Sequence, residues 1–210
     1  MIRYDDLEAF GQGYRDRFVA AQPFPHLVID DLFEPAALRQ AAGQFPGPGE
    51  MAEHPSKKGV LELSDRRLVP AALAEVSDEL LGPRFVDWLS FVSGVDGLIT
   101  DRDGNWGVLR QSGDGVEGKI HVPPSWHPTK PWHRRLTLIL HLSEDLTGDN
   151  GGRFQLWDAA QTAPRASYAP LFNRAVVFLT SPVAFHSASR THLAPGQMRR
   201  IMQALYFTEG

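Results

Sequence analysis

RRLTLILHLSED, residues Arg134 to Asp145, decides the fold class. Its apolar part, Leu136–Leu142, reads as a strand, and it is one of a series. From Asn105 onward the short runs Trp106–Gln111, Lys119–Val122, Leu136–Leu142, Arg153–Trp157, Ala175–Thr180, Ala184–Ser187 and Arg200–Thr208 follow one another with only turn clusters between them. Strands at this spacing with no intervening helices argue for an antiparallel sandwich or barrel rather than a parallel α/β sheet.

Ahead of this region the pattern is helical. Leu7, Phe10, Tyr14 and Phe18 recur at helical spacing within Tyr4–Ala21, and the run His26–Ile29, flanked by prolines and an acidic turn, predicts a single strand. Glu34–Phe45 resumes a helix, with Pro35 where a first-turn proline is tolerated. Pro46–Lys58, rich in Gly, Pro, Lys and Glu, reads as a loop, and Pro70–Val92 as two helices broken at Gly82 and Pro83. The expectation is one α+β domain over residues 1–210, in which a mainly helical support (1–104) packs on the outside of an antiparallel β-barrel (105–210). There is no internal repeat and no low-complexity tract.

Composition narrows the chemistry. The 21 basic and 25 acidic residues leave a formal charge of −4, so the electrostatic footprint of a nucleic-acid-binding protein is missing. The absence of cysteine excludes disulfides, thiolate metal sites and cysteine nucleophiles, so that any metal must be held by His and carboxylate. No apolar run is long enough to span a membrane, and the first residues have no secretory h-region; the expected location is cytoplasmic. No Gly-rich phosphate loop and no GxSxG element is present, which removes support for nucleotide binding and for serine-hydrolase chemistry. Of eight histidines, six lie in the β-rich half, at positions 121, 127, 133, 141, 186 and 192. Among these, His133, His141 and His192 read as ordinary barrel or surface residues. The cluster of Trp126, His127, Lys130, Trp132, His133, Arg134 and Arg135 reads as a solvated rim.

PFPHLVIDDLFEPAALRQAAGQFP (Pro23–Pro46), GKIHVPPSWHP (Gly118–Pro128), RRLTLILHLSED, GGRFQLWD (Gly151–Asp158), APLFNRAVVFLTS (Ala169–Ser181), AFHSAS (Ala184–Ser189) and RRIMQALYFT (Arg199–Thr208) resemble, in this order, the bacterial prolyl-hydroxylase-like branch of the 2-oxoglutarate and iron(II) dependent oxygenases. The resemblance covers about nine-tenths of the chain. It implies a double-stranded β-helix of jelly-roll, cupin-like form, with iron(II) held on one face by two histidines and a carboxylate. His121 matches the first histidine and His186 the distal one, while Arg200 matches the basic residue that pairs with 2-oxoglutarate. On that assignment Arg199 points to the opposite face of its strand. The implied activity is oxidative modification of a small molecule: hydroxylation, or halogenation where the carboxylate is absent.

The carboxylate is indeed absent, because the family's His-X-Asp motif reads His121-Val122-Pro123 here. Four readings stay open. An exogenous anion fills the vacant position; another side chain, His127 or Glu117, completes the site; the chain is a binding module or a partner subunit without turnover; or the fold carries chemistry that needs no iron redox cycle. A homo-oligomer is compatible with each.

Overall fold

A computed structural model describes residues 1–210. Helices α1 (Tyr4–Ala9), α2 (Gly11–Ala20), α3 (Pro35–Ala42), α4 (Ala71–Leu81) and α5 (Pro83–Ser93) occupy the first half of the chain. Strands β1 (His26–Ile29), β2 (Ala52–Glu53) and β3 (Val60–Leu63) are threaded among them. The second half holds β4 (Gly107–Ser112), β5 (Gly118–His121), β6 (Trp132–His141), β7 (Phe154–Trp157), β8 (Pro164–Tyr168), β9 (Ala175–Leu179), β10 (Phe185–Ala188) and β11 (Arg199–Glu209).

The strands form two sheets rather than a closed barrel. One is seven-stranded in the order β1-β9-β6-β11-β4-β3-β2, the other four-stranded in the order β5-β10-β7-β8, and every pairing is antiparallel. Three short strands were not legible as such. β2 and β3 form a hairpin within and just beyond the expected loop Pro46–Lys58, and β8 pairs with β7. They carry little apolar alternation and gain their order from a neighbour's hydrogen bonds.

Helices α3 and α5 begin with Pro35 and Pro83 in the first turn, where the missing N–H has no intrahelical partner to lose. Leu73, Val76 and Leu80 line one face of α4, and Phe85, Leu89 and Val92 one face of α5. These faces pack on the seven-stranded sheet, which answers with Leu136, Leu138 and Leu140 of β6 and Met202, Ala204 and Tyr206 of β11, in a core of 35 residues. The opposite face of the same strands looks toward the four-stranded sheet. There Ile139, Val176, Phe178 and Ile201 meet Phe154 and Leu156 in a second cluster of only 8 residues. Period-two alternation thus assigns each residue of β6 and β11 to one of two compartments. No helix of the protein is long and apolar enough to cross a membrane.

Candidate active site

His121 ends β5 and His186 lies in β10, and the two are direct partners across that antiparallel pair. Their ring centroids are 4.2 Å apart. This approach depends on Gly118, since a Cβ there would lie 2.9 Å from the backbone nitrogen of Ala188. The Nδ1 of His121 faces the carbonyl of Lys119 at 2.9 Å, and the Nδ1 of His186 faces that of Ala184 at 3.1 Å. A carbonyl only accepts, so both Nδ1 atoms carry the proton and both Nε2 atoms keep a lone pair. Burial lowers the pKa of both rings, that of His186, 7% exposed, to about 3. Two neutral imidazoles with lone pairs free of protein partners are a ready donor set for a metal ion.

Both rings open onto a cavity of about 110 Å³ between the two sheets, whose other walls include Lys57, Arg110, Arg199 and Gln203. Its charge is one-sided. Arg110 donates to Glu62 Oε2 at 3.2 Å and to Gln203 Oε1 at 3.0 Å, and Glu62 also faces His54 Nε2 at 3.7 Å. Arg199 donates through Nε to the carbonyl of Gly152 at 2.9 Å and meets no carboxylate. Burial, with Arg110 nearby, lowers its pKa to about 10; burial likewise brings Lys57 down to about 8. Beside this end of the cavity, His141 follows Ile139 on the same face of β6 and is 1% exposed, with neither ring nitrogen bonded to protein. Burial, then Arg199 and Arg174, hold it well below the ordinary histidine range.

Three sequence expectations change here. Arg200 is not in the cavity: it lies on the helix-facing side of β11 with Met202 and Ala204, its guanidinium carbon 5.4 Å from the Phe45 ring centroid. Arg199, one residue earlier, shares the face of Ile201 and Gln203 and takes the position intended for Arg200. The alternation argument was sound, but its register was off by one.

His127 is not a third ligand, because both its nitrogens are engaged. Its Nε2 bonds Asp101 Oδ2 at 2.9 Å, and its Nδ1 accepts from the backbone of Thr129 and Lys130 at 3.1 Å each. Together with Lys130, which contacts Asp101 at 2.7 Å, it fastens the loop between β5 and β6. Glu117 faces Arg190 at 4.0 Å on the surface, away from the cavity. Third, His141, read as an ordinary barrel residue, is an orphaned imidazole beside Arg199. Pro123, two residues after His121, is buried, and nowhere do three or more His, Asp or Glu side chains gather as a metal-binding group. The rim reading holds for Trp126, which is exposed with its ring packed against that of His133, but not for the whole cluster: His127 is buried against Asp101, and the Nε of Arg134 is buried without a partner.

Of the residues that line or flank the cavity, Lys57, Arg110, Arg199 and His141 were missed. A signal existed only for Arg199, in the adjacency of two arginines at the start of an alternating strand.

Residues 107–208 match the family model described as the 2OG-Fe(II) oxygenase superfamily. No curated protein matches the sequence. Among solved structures, a prolyl-4-hydroxylase of Pseudomonas putida superposes with a TM-score of 0.66 at 13% identity, covering 96% of this chain and 100% of that one. A prolyl hydroxylase of Trichoplax adhaerens, in complex with a hypoxia inducible factor oxygen degradation domain peptide fragment, gives 0.67 at 13%, covering 99% and 92%. A non-heme alpha ketoglutarate dependent epimerase of nogalamycin biosynthesis gives 0.64 at 11%, covering 96% and 83%. The fold is that of these oxygenases, as the sequence resemblance implied.

Proposed function

We propose that this chain, whose residues 107–208 match the 2OG-Fe(II) oxygenase superfamily, is a 2-oxoglutarate and iron(II) dependent enzyme that oxidatively modifies a small molecule. The observation that carries the reading is one cavity bearing two neutral imidazoles with free Nε2 atoms at one place and an arginine without a carboxylate partner at another.

The residues fit the co-substrate. A dicarboxylate needs a cation that no protein carboxylate has already claimed, and Arg199, held by Gly152, offers a rigid fork of donors for it. His141 backs Arg199 at that end from behind the cavity lining, its two ring nitrogens buried without partners. The residues fit iron in part: His121 and His186 supply two donors, and Pro123 supplies none where the family motif has aspartate. When loaded, such a centre couples decarboxylation of 2-oxoglutarate to succinate with oxidation of a C–H bond by dioxygen. The chain's own contribution is positional. The β5–β10 pair sets the imidazoles side by side with their planes tilted by 50°, the backbone carbonyls fix their tautomer, and the Phe154 and Ile139 walls limit water around them. The cavity volume lies below that of a typical drug-sized ligand pocket, which suits a small co-substrate with the substrate's reacting group entering from the mouth.

Pro123 favours a second reading, a binding module that holds the dicarboxylate without turnover. Succinate release under iron(II), oxygen and 2-oxoglutarate, measured beside calorimetric binding of 2-oxoglutarate with inert nickel(II), separates the two. Binding with release supports the enzyme, binding without release the module, and no binding overturns both. Halogenation belongs to the first reading if chloride takes the position of the missing carboxylate, and product analysis with and without chloride tests it.

A further inference from the structure

We infer that the substrate of this site is itself an anion, and that its acid group, carboxylate or phosphate, is received by Lys57 at the tip of the β2–β3 hairpin. The inference rests on the proposed oxygenase reading and adds to it the charge of the substrate.

The argument begins with the charge of the cavity wall. Lys57, Arg110 and Arg199 are its cations. Arg110 is neutralised by Glu62, whose Oε2 takes both that arginine and His54, so the one carboxylate beside the wall already has its cation. Arg199 is the anchor assigned to the co-substrate. Lys57 is then left over: it has neither an ion pair nor a side-chain hydrogen bond, and its nearest charges besides Glu62 are the two arginines. A dicarboxylate that binds Arg199 at one end and faces the imidazoles at the other brings no negative charge to spare for it. The metal-binding motif adds to the surplus, because Pro123 removes the one carboxylate the family would place here. A loaded site therefore carries more positive charge than its own components balance, and the substrate is the one component not yet counted.

The backbone holds Lys57 at its place. Its N–H donates to the carbonyl of His54 at 3.3 Å, and its carbonyl accepts from Val60 at 3.1 Å, closing the turn of the hairpin. Gly59, in the left-handed region at φ +76°, lets that turn settle against Val116, where a Cβ would come within 2.9 Å of Val116 Cγ2. The half-buried ammonium is thus presented to the cavity by a closed turn, and it does not hang from a free loop. A flexible surface lysine would keep its charge in water; this one is partly withdrawn from it and opposed by like charges, a position that an incoming acid group relieves.

The test uses the protein loaded with nickel(II) and 2-oxoglutarate, a complex whose formation is measured first by calorimetry. Failure of that complex to form overturns the oxygenase reading itself. On the formed complex, matched small molecules that differ only in the acid group are titrated by ligand-observed NMR: benzoate against benzamide, N-acetylproline against N-acetylprolinamide, and phenyl phosphate against phenol. The expected result is an acid member that binds about ten- to a hundredfold more tightly than its neutral partner, the range of a charge-assisted hydrogen bond. The preference disappears in Lys57→Gln and persists in Lys57→Arg, and the carboxylate and phosphate pairs tell which acid is preferred. An acid–neutral difference that is absent, or that survives Lys57→Gln, overturns the inference while leaving the oxygenase reading in place. So does a panel of which no member binds. Circular dichroism of the variants excludes misfolding, which the exposed position of the hairpin tip makes a minor concern.

Discussion

Arg199 is held by Gly152: its Nε donates to the Gly152 carbonyl at 2.9 Å, while a Cβ on that glycine would lie 2.7 Å from Arg199 Cδ. The glycine therefore does two things, offering an acceptor and leaving room for the side chain that uses it. Its φ of +59° is one that a side chain rarely tolerates.

Gly152→Ala should accordingly lower stability by roughly 1–2 kcal/mol from the left-handed backbone alone, and should also displace Arg199. Denaturant unfolding reads the first effect and 2-oxoglutarate calorimetry the second. A variant that loses stability but keeps full affinity would show that Gly152 serves only the chain's path.

The two neighbouring arginines should separate cleanly. Arg199→Ala is expected to weaken 2-oxoglutarate binding by about 2–5 kcal/mol, as truncating one partner of a buried charge pair does. Arg200→Ala should leave that affinity nearly unchanged and lower stability by about 0.5–2 kcal/mol through loss of its contact with Phe45. The reverse pattern would return the anchor to Arg200.

His141→Leu offers a trade of stability against binding. Removing two ring nitrogens without protein partners should raise the stability of the unliganded protein by about 1 kcal/mol. The same change should weaken 2-oxoglutarate binding. Thermal unfolding with and without the dicarboxylate measures both, and a variant less stable in each condition would contradict the assignment.

For the metal, His121→Ala and His186→Ala should each abolish nickel(II) binding that depends on the imidazole pair. Pro123→Asp should strengthen it by at least about tenfold, the scale on which even outer-sphere partners act. Equal binding by the native protein and the double histidine variant would remove the site from this cavity.

Acid should loosen the loop between β5 and β6. Burial of Asp101 raises its pKa, but hydrogen bonds from Lys130, the Asn105 backbone and His127 outweigh it and bring the value to about 2. A carboxylate depressed in the folded state stabilises fully above its ordinary range near pH 4 and loses that contribution as pH falls toward 2. Hydrogen exchange across residues 122–131 should therefore quicken below pH ~4, and Asp101→Asn should show the faster exchange already at neutral pH.

The sequence was most legible where a strong local pattern and a compartment coincide. Leu136, Leu138 and Leu140 alternate toward the helices, and Pro35 and Pro83 mark two helix starts, so these elements could be read directly. His121 and His186 were legible through resemblance, and the β5–β10 register brings them together. Arg199 was not, because both candidates are arginine and only the pairing of Ile201 with His141 fixes which one faces the cavity. Lys57 and Arg110 were beyond reach for a different reason. They come to the cavity from a hairpin and a strand between the family-like segments that end at Pro46 and resume at Gly118, through pairings such as Glu62 with Arg110 that no local pattern encodes. His127 matched a ligand by spacing alone, and only the position of Asp101 reveals what its nitrogens do.

The unequal size of the two cores has a bearing on how such a chain changes over generations. The 35-residue core behind the seven-stranded sheet holds most of the buried apolar mass, whereas the cavity side rests on 8 residues. Substitutions on the cavity side are therefore tried against a background that folding does not police closely. Aromatic or basic side chains of the cavity wall can be exchanged with little demand on the main core. The bulk of the apolar mass and the candidate ligand set thus lie on opposite faces of the same sheet, so that the one can be held fixed while the other is exchanged.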